Sequence, residues 1–401
     1  MSPSAKPDPW GRSPWKISFT PQRHKLAAHV DFAIIGGGFT GLAAAAWLRA
    51  LVPDKSVAVF EAARIGAGAS GRTGGMVLAE TAAGNQPGLG DVLAGFRAIL
   101  EKLKVRCDLE LTGAWEMARH AQSGKANHKP SPIEWNDSGN LKVVNEVPGG
   151  TLDPGKLVSG LARAAQRRGA QIYENHWLQN VHWSAAPVLH LATRRGDKRK
   201  ITATKILFAA NALSLAQSGL AGMHPRLTLA VLTSPISEKT LAAIGLAPRK
   251  PFYTVDFPYL WGRVRKDRSI VWGAGLVQSP DADELEKVDI AAEESAAAFD
   301  GLEQRVLHLH PALAKIKFTR RWGGPILFRN SWKPVFDWHR QSVASAAARK
   351  GGSSNGDVPR NAVVLGAYAG HGVALSSYLG TWAAEVLLGR RELPKWSALD
   401  K

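Results

Sequence analysis

The residues best suited to chemistry form a short glycine-rich run near the start of the chain. Gly36–Gly41 reads GGGFTG and fits the spacing G-x-G-x-x-G. In that spacing the first glycine allows a tight turn, the second lets the backbone approach a pyrophosphate, and the third lets helix and strand pack closely. Glu61 stands twenty residues beyond Gly41, where a carboxylate can accept hydrogen bonds from a ribose diol. The pattern predicts a dinucleotide-binding site.

This prediction requires a strand before the glycines and a helix after them. Val30–Ile35 is a short apolar run typical of a buried strand, and Thr40–Leu51 is alanine-rich and ends before Pro53. Ser56–Phe60 alternates β-branched and small residues, which indicates the next strand. The chain therefore opens with a βαβ unit whose helix N-terminus offers free N–H groups to phosphate.

The rest of the chain indicates a second, strand-rich unit inside the first. We expect helices at 93–104, 154–168, over most of 281–308 and at 373–388, and strands at 201–209, 227–234, 254–264, 269–276 and 362–367. Nucleotide-domain elements at both ends of a strand-rich middle predict an α/β fold with α+β elements, a Rossmann-like domain interrupted by an antiparallel-sheet domain. The expected parts are an extended surface arm (1–29), the nucleotide domain (30–85, 150–225 and 325–401) and the substrate domain (86–149 and 226–324).

Composition narrows the class of protein. The 401 residues are 45% hydrophobic and 21% charged, which excludes wholesale disorder. The single cysteine, Cys107, excludes a disulfide framework and a cysteine-based zinc site, and no histidine spacing suggests another metal site. No run approaches the length of a membrane helix and no export signal is evident, so we expect a cytoplasmic protein without a transmembrane segment.

The net charge of +18 is the most unusual bulk property. It favours anionic partners, but the basic residues are scattered apart from one cluster between Arg194 and Lys200. That cluster surrounds Gly196-Asp197 between two strand-like runs, which predicts a solvated hairpin turn rather than a nucleic-acid site. Residues 344–356 are small, polar and glycine-rich and indicate a mobile loop.

A second glycine-rich run, RIGAGASGRTGG at 64–75, has no obvious use in a nicotinamide dehydrogenase. It resembles the G-A-S-G-R-N-G-G loop of the D-amino-acid oxidase superfamily, which includes glycine oxidase and sarcosine oxidase. The chain is most similar to the gamma-glutamylputrescine oxidase branch. Four further segments resemble that branch in order and spacing: Cys107–Leu109, PGKLVSGLARAA at 154–165, LFAANA at 207–212 and GAYAGHGVA at 366–374.

The resemblance implies FAD as the cofactor, and the lack of a cysteine near the C-terminal loop implies that it is bound non-covalently. Ser70, Gly71 and Arg72 would line the phosphates and ring, Ile172–Glu174 and Val181 would hold the adenine side, and 370–373 would lie along the isoalloxazine. The expected cofactor-binding residues are Gly36, Gly38, Phe39, Thr40, Gly41, Glu61, Ala62, Ala69, Ser70, Gly71, Arg72, Gly74, Val181, Ala210, Gly370, His371, Gly372 and Val373.

The chain departs from the family near the expected substrate face. Thr73 replaces the usual Asn, and beyond Trp322-Gly323-Gly324 the T-x-D-x-x-P stretch has Arg329 for Thr and Ser331 for Asp but keeps Pro334. Asp337 replaces a usual glycine. An arginine fork suits a substrate carboxylate or a surface salt bridge, and both remain open for Arg329. His371, Tyr259 and Arg263 are further candidates for the substrate pocket, and His371 could instead only hold its loop.

The function implied is oxidation of the C–N bond of an amine or amino acid to an imine by hydride transfer to flavin N5. Dioxygen and a quinone remain open as electron acceptors. Two alternatives keep the flavin: a tRNA-borne amine as substrate, or a non-catalytic flavoprotein with a basic binding surface. A nicotinamide-only dehydrogenase would lack the yellow colour of flavin.

Overall fold

The first sheet of the fold carries the dinucleotide motif. The structure is a computed structural model and describes residues 8–119, 131–213, 215–220, 223–277, 285–341 and 360–397. Among these residues the first sheet consists of β1 (His29–Ile35), β2 (Val57–Glu61), β8 (Gln171–Glu174), β9 (His176–His182), β10 (Val188–Thr193), β11 (Lys198–Phe208), β17 (Val335–Trp338) and β18 (Ala362–Gly366). The strand order is β17-β18-β11-β1-β2-β8, and β10 and β9 extend the sheet from β11.

The pairs from β18 to β8 are parallel, as a βαβ unit requires. The helices are α1 (Phe39–Leu51), α2 (Val92–Leu103), α3 (Pro154–Arg167), α4 (Glu238–Ala243), α5 (Glu293–His308) and α6 (Gly372–Leu387). Helix α1 is buried almost all round because four consecutive alanines let α3 and α6 approach it closely. Helix α3 begins as predicted, with Asp153 accepting a hydrogen bond from the Lys156 N–H at 2.9 Å.

The second sheet is mostly antiparallel and consists of β4 (Ala114–Ala118), β5 (Glu134–Asn136), β6 (Asn140–Val147), β12 (His224–Thr233), β13 (Phe252–Thr254), β14 (Leu260–Val264), β15 (Ile270–Val277) and β16 (Phe318–Phe328). The strand order is β16-β12-β15-β14-β13-β4-β6-β5. A small sheet pairs β3 (Met76–Leu78) with β7 (Gly149–Thr151). The predicted class, a Rossmann-like unit combined with an antiparallel sheet, is confirmed.

Two expected elements have different bounds. The expected strand 254–264 is divided into β13 and β14 by a turn at 255–259, where Pro258 has no N–H to continue a ladder. The α-helix expected over most of 281–308 begins at Glu293, and residues 281–284 lie outside the described part of the chain. Just before the helix, the Ile290 N–H donates to the Pro9 carbonyl and the Ala291 N–H to the Asp289 side chain, so these donors are used outside a helix.

Most described residues of the N-terminal arm, 8–29, are exposed or half-buried, but two tryptophans anchor it in the fold. Trp10 and Trp15 are buried. The Trp10 indole N–H donates to the Leu285 carbonyl at 3.0 Å, and the Trp15 indole N–H donates to the Thr73 carbonyl at 2.7 Å. Burying two indoles stabilises the arm against the body of the fold.

Helix α2 lies with the first unit rather than with the second sheet. Its buried residues, including Phe96 and Leu100, share one apolar core with α1, α3 and α6. The segment 86–103, expected in the substrate domain, therefore packs on the nucleotide-binding unit.

The basic cluster forms the predicted hairpin turn between β10 and β11, in which the Gly196 N–H donates to the Thr193 carbonyl. The whole expected loop 344–356, with its flanks from 342 to 359, lies outside the described residues.

Candidate functional site

A cavity of about 1420 Å³ lies between the loops of the first sheet and one face of the second sheet. Its wall includes Gly36–Thr40 after β1, Glu61 at the end of β2, and residues of β12, β13, β14 and β15. Pockets for drug-sized ligands are roughly 300–1,000 Å³, so this cavity can hold a dinucleotide and a smaller molecule together. The carboxyl ends of β1 and β2 open into it, which is the usual place for a nucleotide in a parallel sheet.

The first glycine loop has almost no room for side chains. Gly36 has a φ of +112°, and a Cβ there would lie 2.7 Å from the Ala209 carbonyl oxygen. At Gly38 a Cβ would lie 2.8 Å from the Ser70 hydroxyl, which accepts a hydrogen bond from the Phe39 N–H at 2.9 Å. The second glycine loop thus directly supports the first.

Helix α1 begins at this loop without an acidic residue in its first turn and without a side-chain cap. Its positive end and free N–H groups at the cavity wall suit an anion such as a pyrophosphate. Glu61 accepts from the Gly37 N–H at 2.8 Å with one carboxylate oxygen and from the Ala63 N–H at 2.9 Å with the other. Burial raises the pKa of Glu61, and the charge of Glu174 adds to this, against the effect of the two backbone donors. Each oxygen keeps a lone pair for a diol.

Arg72 lines the cavity, but its guanidinium group is used by the protein itself. It donates to the carbonyls of Ala67 and Gly11 at 2.9 and 2.7 Å and to that of Gly323 at 3.2 Å, and it pairs with Asp8. The expected contact of Arg72 with a cofactor can therefore come only from the aliphatic part of its side chain and from its backbone. Its evident role is to join the second glycine loop to the arm and to β16.

The C-terminal loop at 366–371 approaches the cavity through strained backbone. Ala367, Ala369 and Gly370 all have positive φ angles. The Ala367 N–H donates to the Asn211 side-chain oxygen at 2.9 Å, and the Tyr368 hydroxyl meets the Thr40 hydroxyl at 2.8 Å. These bonds fix the loop to the first sheet and to the start of α1.

His371 is the N-cap of α6 and faces the cavity. Burial lowers its pKa, against the effects of the Ala369 backbone and the charge of Glu116, so the ring is neutral near pH 7. Its Nδ1 and the Ser376 hydroxyl are buried in the cavity wall, and no described protein atom bonds to them. Orphaned polar atoms of this kind indicate a bound partner. Together with the glycine cradle and Glu61, they fit a dinucleotide with a polar ring system.

The cavity brings together most of the predicted site residues. Gly41, Gly71, Val181 and Arg263 lie outside it, and so does the segment Ile172–Glu174 that was expected on the adenine side. Gly41 and Gly71 lie behind the loops that line it. Val181 packs against the core at the far end of β9, and His176–Leu178 line the wall instead. The predicted residues that line the cavity are Gly36, Gly38, Phe39, Thr40, Glu61, Ala62, Ala69, Ser70, Arg72, Gly74, Ala210, Tyr259, Arg329, Gly370, His371, Gly372 and Val373.

Arg263, the fourth, does not reach the cavity and gains no role as a pocket residue. It is buried, donates to the Leu152 carbonyl at 2.5 Å and to the Gly75 carbonyl at 3.2 Å, and lies over the Trp15 ring. Alternation along β14 places Arg263 on the same face as Trp261, which lines the cavity together with Tyr253 on β13. Arg263 lies further along the strand, where the backbone of Gly75 and Leu152 covers it.

Arg329 and Tyr259 lie on the cavity wall at separate places. The Arg329 Nε donates to the Ser331 hydroxyl at 2.5 Å, just beyond the end of β16. Tyr259 lies on the 255–259 turn, which we call the mouth turn, with its ring 4.2 Å from that of the exposed Phe257. Arg305 donates to the carbonyls of Pro258 and Tyr259 at 2.9 Å each, so the mouth turn is anchored to α5.

The sequence analysis missed several wall residues. Glu80, Glu116, Arg226, Tyr253 and Trp261 all line the cavity. Glu116 carried the one usable signal, a charged residue inside the apolar run AWEMA of β4.

Cys107 does not line the cavity, and burial raises its pKa to about 12, helped by the charges of Asp108 and Asp153. Among the described residues no group of three or more His, Cys, Asp or Glu side chains could hold a metal ion.

Comparison with known proteins agrees with this geometry. The chain is 26% identical over 407 residues to gamma-glutamylputrescine oxidoreductase of Escherichia coli (strain K12), covering 90% of this chain and 84% of that protein. Its fold is similar to that of glycine oxidase from Geobacillus kaustophilus, with a TM-score of 0.64 at 18% identity over 91% of this chain and 96% of that one. L-amino acid deaminase from Proteus myxofaciens also has a TM-score of 0.64, at 14% identity over 95% of each chain.

The described part of the chain contains no helix long and apolar enough to cross a membrane. Residues 31–386 match the family described as DAO, FAD dependent oxidoreductase. That range includes both glycine loops, Glu61, the second sheet and the C-terminal loop, so the match and the cavity concern the same residues. The chain belongs to the DAO family of FAD-dependent oxidoreductases.

Proposed function

We propose that this protein oxidises the C–N bond of an amine or amino acid, using non-covalently bound FAD. One observation carries the proposal: a single cavity joins the dinucleotide loops of the first sheet to a polar and aromatic wall on the second sheet. A cofactor and a small substrate can therefore meet in one enclosed space. The names of the relatives, an amine oxidoreductase, a glycine oxidase and an amino acid deaminase, support an amine or amino acid as the substrate.

The chain's own residues supply binding and orientation. The backbone of Gly36–Thr40 at the start of α1 would bind the pyrophosphate, and Glu61 would bind a ribose diol. The N-terminal end of α6 places partial positive charge beside His371, where it stabilises negative charge on the ring system. FAD, when bound, accepts the hydride from the carbon next to the substrate nitrogen.

The residues around the reacting carbon need little acid–base chemistry of their own. The nitrogen lone pair forms the C=N bond as hydride leaves, and the nitrogen then releases its proton to give the neutral imine. His371, neutral near pH 7, is a hydrogen-bonding group at this wall rather than a permanent charge. The second sheet excludes water and orients the substrate.

Non-covalent binding is supported by the position of the single cysteine. Cys107 is buried in the core behind α3 and keeps its thiol proton. We expect acid precipitation of the holoprotein to leave the flavin in the supernatant. Flavin retained in the washed precipitate would contradict this part of the proposal.

The whole proposal is tested by anaerobic titration of the purified protein. We expect flavin absorption near ~450 nm that bleaches with one class among primary amines, N-methylated amines and amino acids. Re-admitting air or adding a quinone then identifies the acceptor by which one restores the band. A flavin that dithionite bleaches but no member of the panel does would refute the proposed activity, and failure to bind FAD after reconstitution would refute the proposed cofactor site.

A further inference from the structure

Besides Glu61, two further carboxylates face the cavity, in a protein whose net charge is strongly positive. Glu80 follows β3 and Glu116 lies on β4, and both line the wall. One oxygen of Glu116 accepts from the Tyr253 hydroxyl at 2.8 Å, and the other accepts from the Asn145 side-chain amide at 2.9 Å. Both donors are neutral, so they orient the carboxylate without compensating its charge.

Neither carboxylate has a basic partner within the described ranges. No described Lys, Arg or His forms an ion pair with Glu80 or Glu116. Burial raises the pKa of Glu80, and the negative charge of Glu116 adds to it. Burial also raises the pKa of the Tyr253 hydroxyl. Its hydrogen bond to Glu116 and the negative charges of both carboxylates raise that pKa further. The two acids thus share one region that lacks positive charge.

The arginines of the cavity lie elsewhere along the wall. Arg226 is on β12 and Arg329 follows β16, whereas Glu116 is on β4. The other two wall arginines, Arg72 and Arg305, form ion pairs with Asp8 and Asp137. In the sheet order, β15, β14 and β13 separate β12 from β4, which is four strand spacings or about 19 Å along the sheet. The wall therefore has an acidic end and a basic end.

The acidic end also has an aromatic surface and an unsatisfied polar atom. The Tyr253 ring lines the cavity and lies edge-on to the His371 ring, 6.3 Å between centroids. The buried Nδ1 of His371 has no partner among the described protein atoms. Carboxylates beside an aromatic ring form the environment that ammonium groups prefer, through ion pairing and cation–π contact.

The cation that fits here is not the reacting amine. Hydride leaves a carbon only with the help of the nitrogen lone pair, and an ammonium nitrogen has none. A carboxylate pair around the reacting nitrogen would hold it in its unreactive, protonated form. The pair is productive only for a second positive group on the same substrate, away from the carbon that is oxidised.

We propose that Glu80 and Glu116 form a subsite for a second ammonium group of the substrate, and that the substrate is a diamine or another amine with a further positive charge. This inference rests on the proposed function and narrows its substrate class. The proposed substrate differs from a simple amine, which has no second positive group. It also differs from an amino acid, in which the charged group near the reacting carbon is a carboxylate.

The test compares substrates that differ by one ammonium group. Linear 1,n-diamines of three to six carbons are measured against the monoamines of equal length on the wild-type holoenzyme and on Glu80→Gln, Glu116→Gln and the double variant. We expect at least one diamine to exceed its monoamine in kcat/KM by tenfold or more, and the double variant to lose most of that preference through KM. Glu134→Gln, on exposed β5, removes the same charge outside the cavity and should change neither ratio.

Binding is measured independently of turnover. Calorimetric titration of the anaerobic holoenzyme with the preferred diamine, or with each diamine where none is oxidised, should give a Kd that the double variant weakens tenfold or more. The subsite would be overturned if the wild type had equal kcat/KM or equal Kd for matched diamines and monoamines. It would also be overturned if the variants lost kcat/KM or affinity equally for both. Absence of turnover with every amine and amino acid, together with diamine binding that depends on Glu80 and Glu116, would overturn the proposed function and leave the subsite standing.

Discussion

A Cβ on Gly41 would stand 2.1 Å from the carbonyl oxygen of Gly36, closer than any real non-bonded contact. The third glycine of the motif therefore does not touch the cavity. It sets how closely the first turn of α1 lies against the end of β1, and that closeness places the helix N-terminus beneath the phosphate site.

We expect Gly41→Ala to displace the start of α1, because the opposing atom is backbone and cannot rotate away. Overpacking of this kind costs about 1–3 kcal/mol of unfolding free energy, and FAD affinity should fall at least tenfold because the phosphate donors move. Chemical denaturation and flavin titration measure the two effects. Gly160→Ala is the matched control: it overpacks α3 against the Val105 side chain, outside the cavity wall, so it should also cost stability but leave FAD affinity unchanged. Wild-type FAD affinity in Gly41→Ala would disprove this role for the glycine.

The cofactor end of the site was predictable from the sequence because its constraints are local. Gly36, Gly38 and Gly41 must be small for reasons set within a few residues and one neighbouring strand. The loop at 64–75 and the C-terminal loop had a family resemblance, and both reach the cavity as expected. The same local logic predicted the start of α3 from Asp153 and Pro154.

The substrate end was not predictable in the same way, because packing between distant segments decides which side chains reach the cavity. Arg263 and Trp261 share one face of β14, but the backbone of Gly75 and Leu152 covers Arg263 and leaves Trp261 on the wall. Glu80 and Glu116 are 36 positions apart and come together only because β3 and β4 meet at one wall. The burial of Trp10 and Trp15 in the arm was not predictable either, since it depends on long-range partners such as Leu285.

The arm is fixed by the buried guanidinium of Arg72. This side chain donates to the Gly11 and Gly323 carbonyls and pairs with Asp8. Arg72→Lys removes the planar fork that reaches several acceptors, so we expect a loss of about 2–4 kcal/mol in unfolding free energy and faster tryptic cleavage after Arg12 and Lys16.

Asp8→Ala is the matched control for this prediction, because it removes only the more exposed end of the same contact. It should cost about 1 kcal/mol or less and leave the cleavage rate near that of the wild type. Equal cleavage rates in Arg72→Lys and the wild type, measured by mass spectrometry over time, would show that the two tryptophans hold the arm without Arg72.

His339 makes the stability of the protein depend on pH. Its ring stacks on that of Trp183 with 4.5 Å between centroids, and its Nε2 donates to the Gln217 carbonyl at 3.2 Å. Burial lowers the pKa of His339 from 6.5 to about 4 despite that bond. Between these values the unfolded chain binds the proton and the folded chain does not, so stability falls as pH drops from 6.5 to 4, by about 3 kcal/mol in all.

The variant His339→Phe keeps the stacking and cannot titrate. We expect the difference in unfolding free energy between wild type and variant to change by about 3 kcal/mol, in favour of the variant, as pH is lowered from 7 to 4. Urea denaturation at several pH values gives this difference directly. A constant difference over that range would mean that the folded protein accommodates the charged imidazole.

Arg305 controls the mouth of the cavity through a buried ion pair. Its Nε and Nη2 donate to the two oxygens of Asp137 at 2.8 and 2.7 Å, while the same group holds the Pro258 and Tyr259 carbonyls. Burial would raise the pKa of Asp137, but the bonds and charges of Arg305 and Arg119 outweigh it and keep the pKa low. Asp137 is therefore ionised at neutral pH, and the arginine stays fixed beneath the mouth turn.

We expect Arg305→Ala to release the mouth turn while Arg119 continues to neutralise Asp137. Amide hydrogen exchange at 255–260 should rise at least tenfold, because the Tyr259 carbonyl loses its Arg305 donor and the Pro258 carbonyl keeps only Arg119 Nη2, at 2.8 Å, so that the turn opens more often. Exchange in α6 should stay unchanged, which separates local release from global destabilisation. Arg249→Ala, which removes a surface arginine paired with Glu238, should alter neither region. A mouth turn that exchanges at the wild-type rate in Arg305→Ala would show that Arg119 alone anchors it.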